Sequence, residues 1–258
     1  MDRALLVGIN NYPYPNQLHG CINDINDIEA ELVNALGFKP ANIVKLSDDA
    51  ATADAIRSKL KDVVSQLKDR DRFLFWYSGH GQQLVNGDPS TDVICPVDFD
   101  FTPVKSVTVD DFHNIFSQIP ATVAANWGSD SCHSGNLERD LYKMGKPKMF
   151  QRSPTVPKVV VTPSRFKGFR DISAALPNIV LISGCRSDQT SADANINGRY
   201  NGAFTYYFIQ TIRAPAGLKT SLSDLVPKVQ AALVAAGYDQ IPQLSGTPTA
   251  VSSTFLQS

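Results

Sequence analysis

A chain of 258 residues, 43% of them hydrophobic, is long enough to bury a full core, and a formal net charge of -1 gives no reason to expect nucleic acid or an anionic membrane as a partner. Four cysteines (Cys21, Cys95, Cys132, Cys185) lie far apart with no Cys-x-x-Cys pair, which argues against a disulfide framework and a zinc site and suits reduced thiols in the cytoplasm. The apolar run at Leu5 to Ile9 is too short for a signal peptide, and no stretch approaches the roughly 18 apolar residues of a membrane span.

Arg3 to Ile9 reads as a buried first strand, followed by the turn-rich Asn10-Asn11-Tyr12-Pro13-Tyr14-Pro15-Asn16. Ile22, Ile25, Ile28, Leu32 and Leu36 recur at helical spacing up to the stop at Gly37. A second strand is expected over Asn42 to Leu46, a helix over Thr52 to Leu67, and a fully buried strand over Phe73 to Tyr77. Asp92 to Asp98 reads as an edge strand closed by Pro96, Val109 to Ile119 as a short helix, and Ala121 to Trp127 as a strand, less apolar than usual because of Asn126 and Gly128.

Residues 136 to 171 carry nine Lys or Arg against three acids, are broken by Pro147, Pro154, Pro157 and Pro163, and read as a long, mobile basic loop. Asn178 to Ser183 is the next expected strand, Phe204 to Ile212 and Leu222 to Ala235 are helices, and Ile241 to Leu244 is a last extended piece. Strands alternating with helices imply an α/β fold, a mostly parallel central sheet covered by helices on both faces.

Two short stretches do not fit a purely structural role. Ser129-Asp130-Ser131-Cys132-His133-Ser134-Gly135 offers a thiol in a small, polar turn, and Trp76-Tyr77-Ser78-Gly79-His80-Gly81 ends an apolar run with an imidazole between two glycines. Peptide hydrolysis needs a nucleophile, a proton for the leaving amine and donors for the oxyanion. Cys132 supplies the first, and His80 the second, its imidazolium favouring the Cys132 thiolate. His133 is the rival base, but neighbours on an extended backbone point to opposite faces. The backbone N–H groups of Gly81 and Cys132 would form the oxyanion hole. The plain alternative is a buried cysteine and a core histidine that never meet.

The Ser-Gly-His-Gly and Asp-Ser-Cys-His-Ser-Gly motifs resemble those of the metacaspases and bacterial orthocaspases, caspase-like cysteine peptidases. The 52-residue interval from His80 to Cys132 matches the roughly 50 residues of the caspase signature. The resemblance extends over Ala4 to Asn10, Leu18 to Asp24 and Ser183 to Ala192. It implies a caspase-like (caspase-hemoglobinase) fold as a single domain over 1–258: a large-subunit-like part (1–135) with the dyad, the basic loop (136–171) and a small-subunit-like part (172–258). It also implies a specificity pocket lined by Cys21, Asp24, Ser78 and Asp130. Two carboxylates converging there would select Arg or Lys before the scissile bond and reject Asp.

The same resemblance implies no cofactor for the chemistry, but Ca²⁺ as an activator on Asp98, Asp110 and Asp111, acids that could equally be helix-start residues. The expected activity is a cysteine endopeptidase working as a monomer on protein or peptide substrates. The alternative is a catalytically silent scaffold or regulatory domain. A basic loop tethered beside a pocket for basic residues would be the first substrate, by cleavage after Lys143, Lys146, Lys148, Arg152, Lys158, Arg165, Lys167 or Arg170, or else a plug, or merely solvated.

Overall fold

The computed structural model describes residues 1–84, 91–131, 146–148, 168–186 and 189–257. β1 (Arg3–Gly8) is buried from Ala4 onward, as an unbroken apolar run requires, and leads to α1 (Cys21–Asn34), which turns Ile25, Ile28 and Leu32 inward. Gly37 closes that segment at φ +72°, a left-handed conformation that side chains disfavour. β2 (Ile43–Ser47) is followed by α2 (Ala53–Ser65), whose first turn is capped by Thr52 Oγ1 accepting from Ala55 N. β3 (Arg72–Ser78) is buried from Phe73 to its end.

Past β3 the chain turns at His80 into β4 (Gly81–Leu84), which pairs with β5 (Thr91–Ile94), which in turn pairs with β6 (Val107–Thr108). The stretch expected to edge the main sheet is therefore the middle strand of a separate antiparallel sheet, because β4 offers it a partner. α3 (Val109–Phe116) is shorter than expected, and β7 (Ala124–Asp130) runs three residues further. The unusual composition of β7 has local reasons. Asn126 accepts a hydrogen bond from Leu256 N at 2.7 Å, and a Cβ on Gly128 would stand 2.0 Å from the Trp76 ring.

Within the region expected to be an unpacked loop, the structure places β8 (Lys146–Pro147) and the start of α4 (Phe169–Ala175), whose Phe169 and Ile172 are core residues. The prolines break helix and sheet propensity but do not prevent a short extended segment from docking. β9 (Ile179–Ser183) returns to the main sheet. A hairpin that pattern reading overlooked follows: β10 (Ala192–Ile196) and β11 (Arg199–Gly202), joined by Asn197-Gly198 with both φ values positive. α5 (Ala203–Arg213), α6 (Leu222–Ala235), β12 (Gln243–Ser245) and α7 (Pro248–Val251) complete the described elements.

The main sheet has the order β12-β9-β7-β3-β1-β2, parallel except for β12. One apolar core lies under α2, α3 and α4 around Phe75, Phe112 and Trp127; the other lies under α1, α5 and α6 around Trp76, Phe204 and Phe208. From β1 the chain winds outward to β2 and then crosses back to β3 on the other side. That reversal opens a crevice at the carboxyl ends of β1 and β3, where open α/β sheets bind their ligands.

Candidate active site

His80 stands at this crevice, two residues beyond the end of β3, and is fully buried. Its Nε2 lies 2.6 Å from Asn16 O, its backbone N donates to Tyr12 Oη at 3.1 Å, and its ring packs on that of Tyr12 with centroids 4.5 Å apart. Tyr77 Oη lies 2.6 Å from His80 O, so the backbone on both sides of the ring is tied. Gly79 is needed here, since a Cβ would sit 2.6 Å from Tyr77 Oη and 2.7 Å from Tyr12 Oη. Burial pushes the imidazole pKa down to about 3, against backbone hydrogen bonds with Asn16 and Lys148 that favour its protonated form. With the cleft filled as described below, His80 is neutral at neutral pH. The expected imidazolium is thus replaced by a neutral ring, which suits a base that accepts the thiol proton.

The acids read from the sequence converge beside it. Asp24, in the first turn of α1, and Asp130, at the end of β7, are fully buried, and so is Ser78 at the end of β3. What holds them together is a third charge, Lys148. Its Nζ lies 2.7 Å from Ser78 Oγ, 3.1 Å from Asp24 Oδ2 and 3.3 Å from Asp130 Oδ1, with the whole side chain buried. Burial opposes the charge on Lys148, yet the carboxylates of Asp130 and Asp24 raise its pKa well above the usual lysine value. Burial is also the main influence on Asp24, pushing its carboxyl up to about 6, with Lys148 pulling the other way. Cys21 lines the same space; burial drives its thiol pKa upward, so it stays a protonated neighbour.

Lys148 does not enter this pocket as a loose side chain. β8 pairs antiparallel with β10, Lys148 N donates to Ser191 O at 2.9 Å, and Lys148 O accepts from Gly81 N at 3.1 Å. A short extended strand therefore delivers a basic side chain to two acids and sets its own carbonyl on the N–H expected to serve the oxyanion. Of the stretch expected to be a mobile loop, residues 146–148 are built into the cleft, where two desolvated carboxylates need a cation.

Several supporting residues were not singled out in the sequence. Asp130 accepts from Ser191 Oγ at 2.5 Å and from Thr205 N and Oγ1 at 3.0 and 2.7 Å. Asp24 accepts from Asn201 Nδ2 and from Gly202 N. Asp193 accepts from His19 N and Gly20 N, fastening the loop before α1 to β10. A Cβ on Gly202 would lie 2.1 Å from Asp130 Oδ2 and 2.4 Å from Lys148 Nζ. The Asn197-Gly198 turn was the one sequence signal that could have revealed this hairpin.

Cys132 and His133 lie outside the described residues, as do Lys143, Arg152, Lys158, Arg165 and Lys167. The register pairs Ser78 with Asp130, so the strands leading to His80 and toward Cys132 end side by side. Of the other basic candidates, Lys146 lies in β8 and Arg170 is exposed on α4. Among the described residues no group of three His, Cys, Asp or Glu side chains, Asp98, Asp110 and Asp111 included, could hold a metal. Asp98 accepts from Ala53 N and Lys105 Nζ, and Asp111 closes the capping box of α3 with Thr108. Asp110 stands in the first turn of that helix.

A family model described as Caspase domain matches residues 1–251. The chain is 32% identical to Metacaspase-1 of Scheffersomyces stipitis over 94% of its own length and 70% of that protein. It is 30% identical to Metacaspase-1 of Meyerozyma guilliermondii over 95% of its length and 69% of that protein. In fold it is similar to the crystal structure of a Geobacter sulfurreducens protein, with a TM-score of 0.74, 22% identity, and coverage of 99% of this chain and 98% of that one.

Proposed function

This chain belongs to the caspase-domain family of cysteine endopeptidases, and from that premise we propose that it cuts after Lys or Arg and that the first such bond it meets is its own, Lys148–Met149. The observation that carries this reading is the arrangement of Lys148, with its ammonium between Asp24 and Asp130 and its carbonyl on Gly81 N–H. That is the geometry of a bound substrate residue just before the scissile bond.

In this reading neutral His80 takes the proton of the Cys132 thiol, and the thiolate attacks the carbonyl carbon of the Lys or Arg residue. The electron pair moves to the carbonyl oxygen, where the N–H groups of Gly81 and Cys132 receive it. Collapse expels the amine, protonated by His80, and water then hydrolyses the thioester. Asn16 O, on Nε2, orients the ring for both transfers. An Asp substrate would bring a third carboxylate into the space of two, at a cost of about 2 to 5 kcal/mol.

A cytoplasmic location belongs to the same reading, supported by Cys21, Cys95 and Cys185, which are thiols rather than disulfides. Activation by Ca²⁺ through Asp98, Asp110 and Asp111 would require Asp98 to release Lys105 and Asp111 to release Thr108. Titrating Ca²⁺ into wild type and Asp98→Asn, with melting temperature and activity as readouts, tests that part.

The main test pairs peptide cleavage with intact mass. Wild type cuts fluorogenic peptides ending in Lys or Arg and not Asp, and divides into two fragments at Lys148. Cys132→Ala does neither. Lys148→Gln stays whole at that bond yet cuts added peptides faster, because its pocket is no longer filled. Cleavage after Asp, or turnover by Cys132→Ala, would refute the reading.

A further inference from the structure

Asp48 follows β2 at the outer side of the main sheet, where β1 stands between it and β3, the strand leading to His80. Two strand spacings, about 10 Å, separate β2 from β3. The Asp48 backbone has a φ of +44°, in the left-handed region that side chains disfavour, at the point where β2 turns into a short 3-10 helix (Asp48–Ala50). A glycine would take that conformation without steric cost. What the carboxylate adds lies on the chain leaving β1: its Oδ1 accepts from Asn10 N at 2.8 Å and from Asn11 N at 2.9 Å.

The segment gripped there, residues 10–20, is an arch closed at its base by Asn10. Asn10 Nδ2 donates to His19 O at 3.2 Å, its Oδ1 accepts from Cys21 N at 2.9 Å, and its backbone O accepts from Tyr12 N and Leu18 N, both at 2.9 Å. The far end is fastened to Asp193, and Gly20 permits that approach, because a Cβ there would stand 2.5 Å from Asp193 Oδ1. Within the arch, Asn16 N donates to Pro13 O at 2.8 Å, and Asn16 O meets His80 Nε2 at 2.6 Å. Tyr12, from the same segment, receives the His80 backbone N–H. His80 is thus oriented by a segment whose geometry is set at Asn10.

We propose that Asp48 is a positioning residue for the peptidase reaction: it fixes Asn10 and Asn11, and through them the Asn16 carbonyl that orients His80. One carboxylate oxygen shared by two successive N–H groups sets the place and the tilt of both peptide planes, since charge-assisted hydrogen bonds are short and directional. Without it the Asn10 peptide is free to turn, the bonds from its side chain to His19 and Cys21 loosen, and Asn16 O shifts against Nε2. Proton transfer depends on that alignment. The pocket acids do not depend on the arch. Asp24 is held by Ser78, Asn201 and Gly202, and α1 is held by the core contacts of Ile25, Ile28 and Leu32. The loss of Asp48 therefore falls on the chemical step rather than on binding of the basic side chain.

This inference rests on the reading of His80 as the base, and the test separates the two. Full-length wild type, Asp48→Gly, Asp48→Asn and His80→Ala are given a fluorogenic peptide ending in Arg, with kcat and KM measured separately beside thermal unfolding. Asp48→Gly removes the acceptor but suits the left-handed backbone. It melts within about 4 °C of wild type and loses about tenfold or more in kcat, with KM within about twofold. Asp48→Asn keeps an acceptor oxygen and tolerates the same backbone, so its kcat returns to within about threefold of wild type. In a Cys132→Ala background, Asp48→Gly speeds amide hydrogen exchange over residues 10–20 and leaves α2 unchanged. The proposal is overturned by a kcat of Asp48→Gly within about twofold of wild type, by a loss carried by KM, or by Asp48→Asn as slow as Asp48→Gly. Unaltered exchange over residues 10–20 overturns it as well, whatever the activities. Wild-type turnover by His80→Ala would instead remove the reading of His80 as the base.

Discussion

Asp24 and Asp130 at the crevice, and Asp98 and Asp111 beside α2 and α3, are four copies of one side chain in two kinds of place. The first two are wholly buried and share a single ammonium, while the second two are about a quarter exposed and each serves its own neighbourhood. In the pocket burial dominates and raises the Asp24 pKa; at Asp98, where burial also pushes upward, Lys105 and the Ala53 N–H prevail and lower it. Acids close together in sequence, such as Asp110 and Asp111, became helix-start residues, whereas acids 106 positions apart became a pocket. Convergence out of water, rather than the number of carboxylates, makes a binding site.

The largest effect that could break this contrast is on turnover. Asp130→Asn or Asp24→Asn should lower kcat/KM for Lys and Arg peptides by about thirtyfold or more, in line with losing one partner of a buried charge pair. Asp98→Asn should stay within about twofold. Equal losses in the two regions would remove the distinction.

Acid titration sharpens it. His80 has a pKa of about 3 when folded against 6.5 when unfolded, so between those values the unfolded chain holds the extra proton and stability falls as pH falls. Asp24 acts oppositely: its pKa of about 6 lies above the unfolded 3.8, so its contribution is present below 3.8 and is lost as pH rises through 6. The two offset one another between about pH 4 and 6. In a Cys132→Ala background, Asp24→Asn leaves His80 uncompensated. That double variant should lose up to about 1.4 kcal/mol per pH unit relative to Cys132→Ala on acidification from pH 6 to 4. Urea unfolding at each pH checks this, and parallel curves would refute it.

The smallest effect is at the helix start. Asp111→Ala should cost about 1 kcal/mol of stability through the lost capping box and leave kcat/KM for Lys peptides unchanged. Thermal unfolding and a peptide assay measure the two separately. A loss of activity without loss of stability would move Asp111 into the catalytic region.

Local pattern was enough for most of the frame. The apolar runs at Leu5, Phe75 and Val180, and the helical stripes of Ile25, Ile28 and Leu32 and of Ile56, Leu60 and Val63, are determined by periodicity and burial alone. The His80 and Cys132 motifs were legible because glycine and small polar residues interrupt apolar runs for no gain in packing, whereas the pocket residues Cys21, Asp24, Ser78 and Asp130 were legible only through the resemblance of their motifs to those of the metacaspases. Proline and charge described residues 136–171 as unpacked, since composition carries no information about a distant receptor.

Only the tertiary structure decided that Lys148 of that region is buried between Asp24 and Asp130, 124 and 18 residues away. The same holds for Asp193, Asn201 and Gly202 as supports of the pocket. Each of these contacts joins segments far apart in the chain, and its energy comes from removing charges from water together. Sequence spacing cannot register that until the sheet has brought the strand ends to one edge.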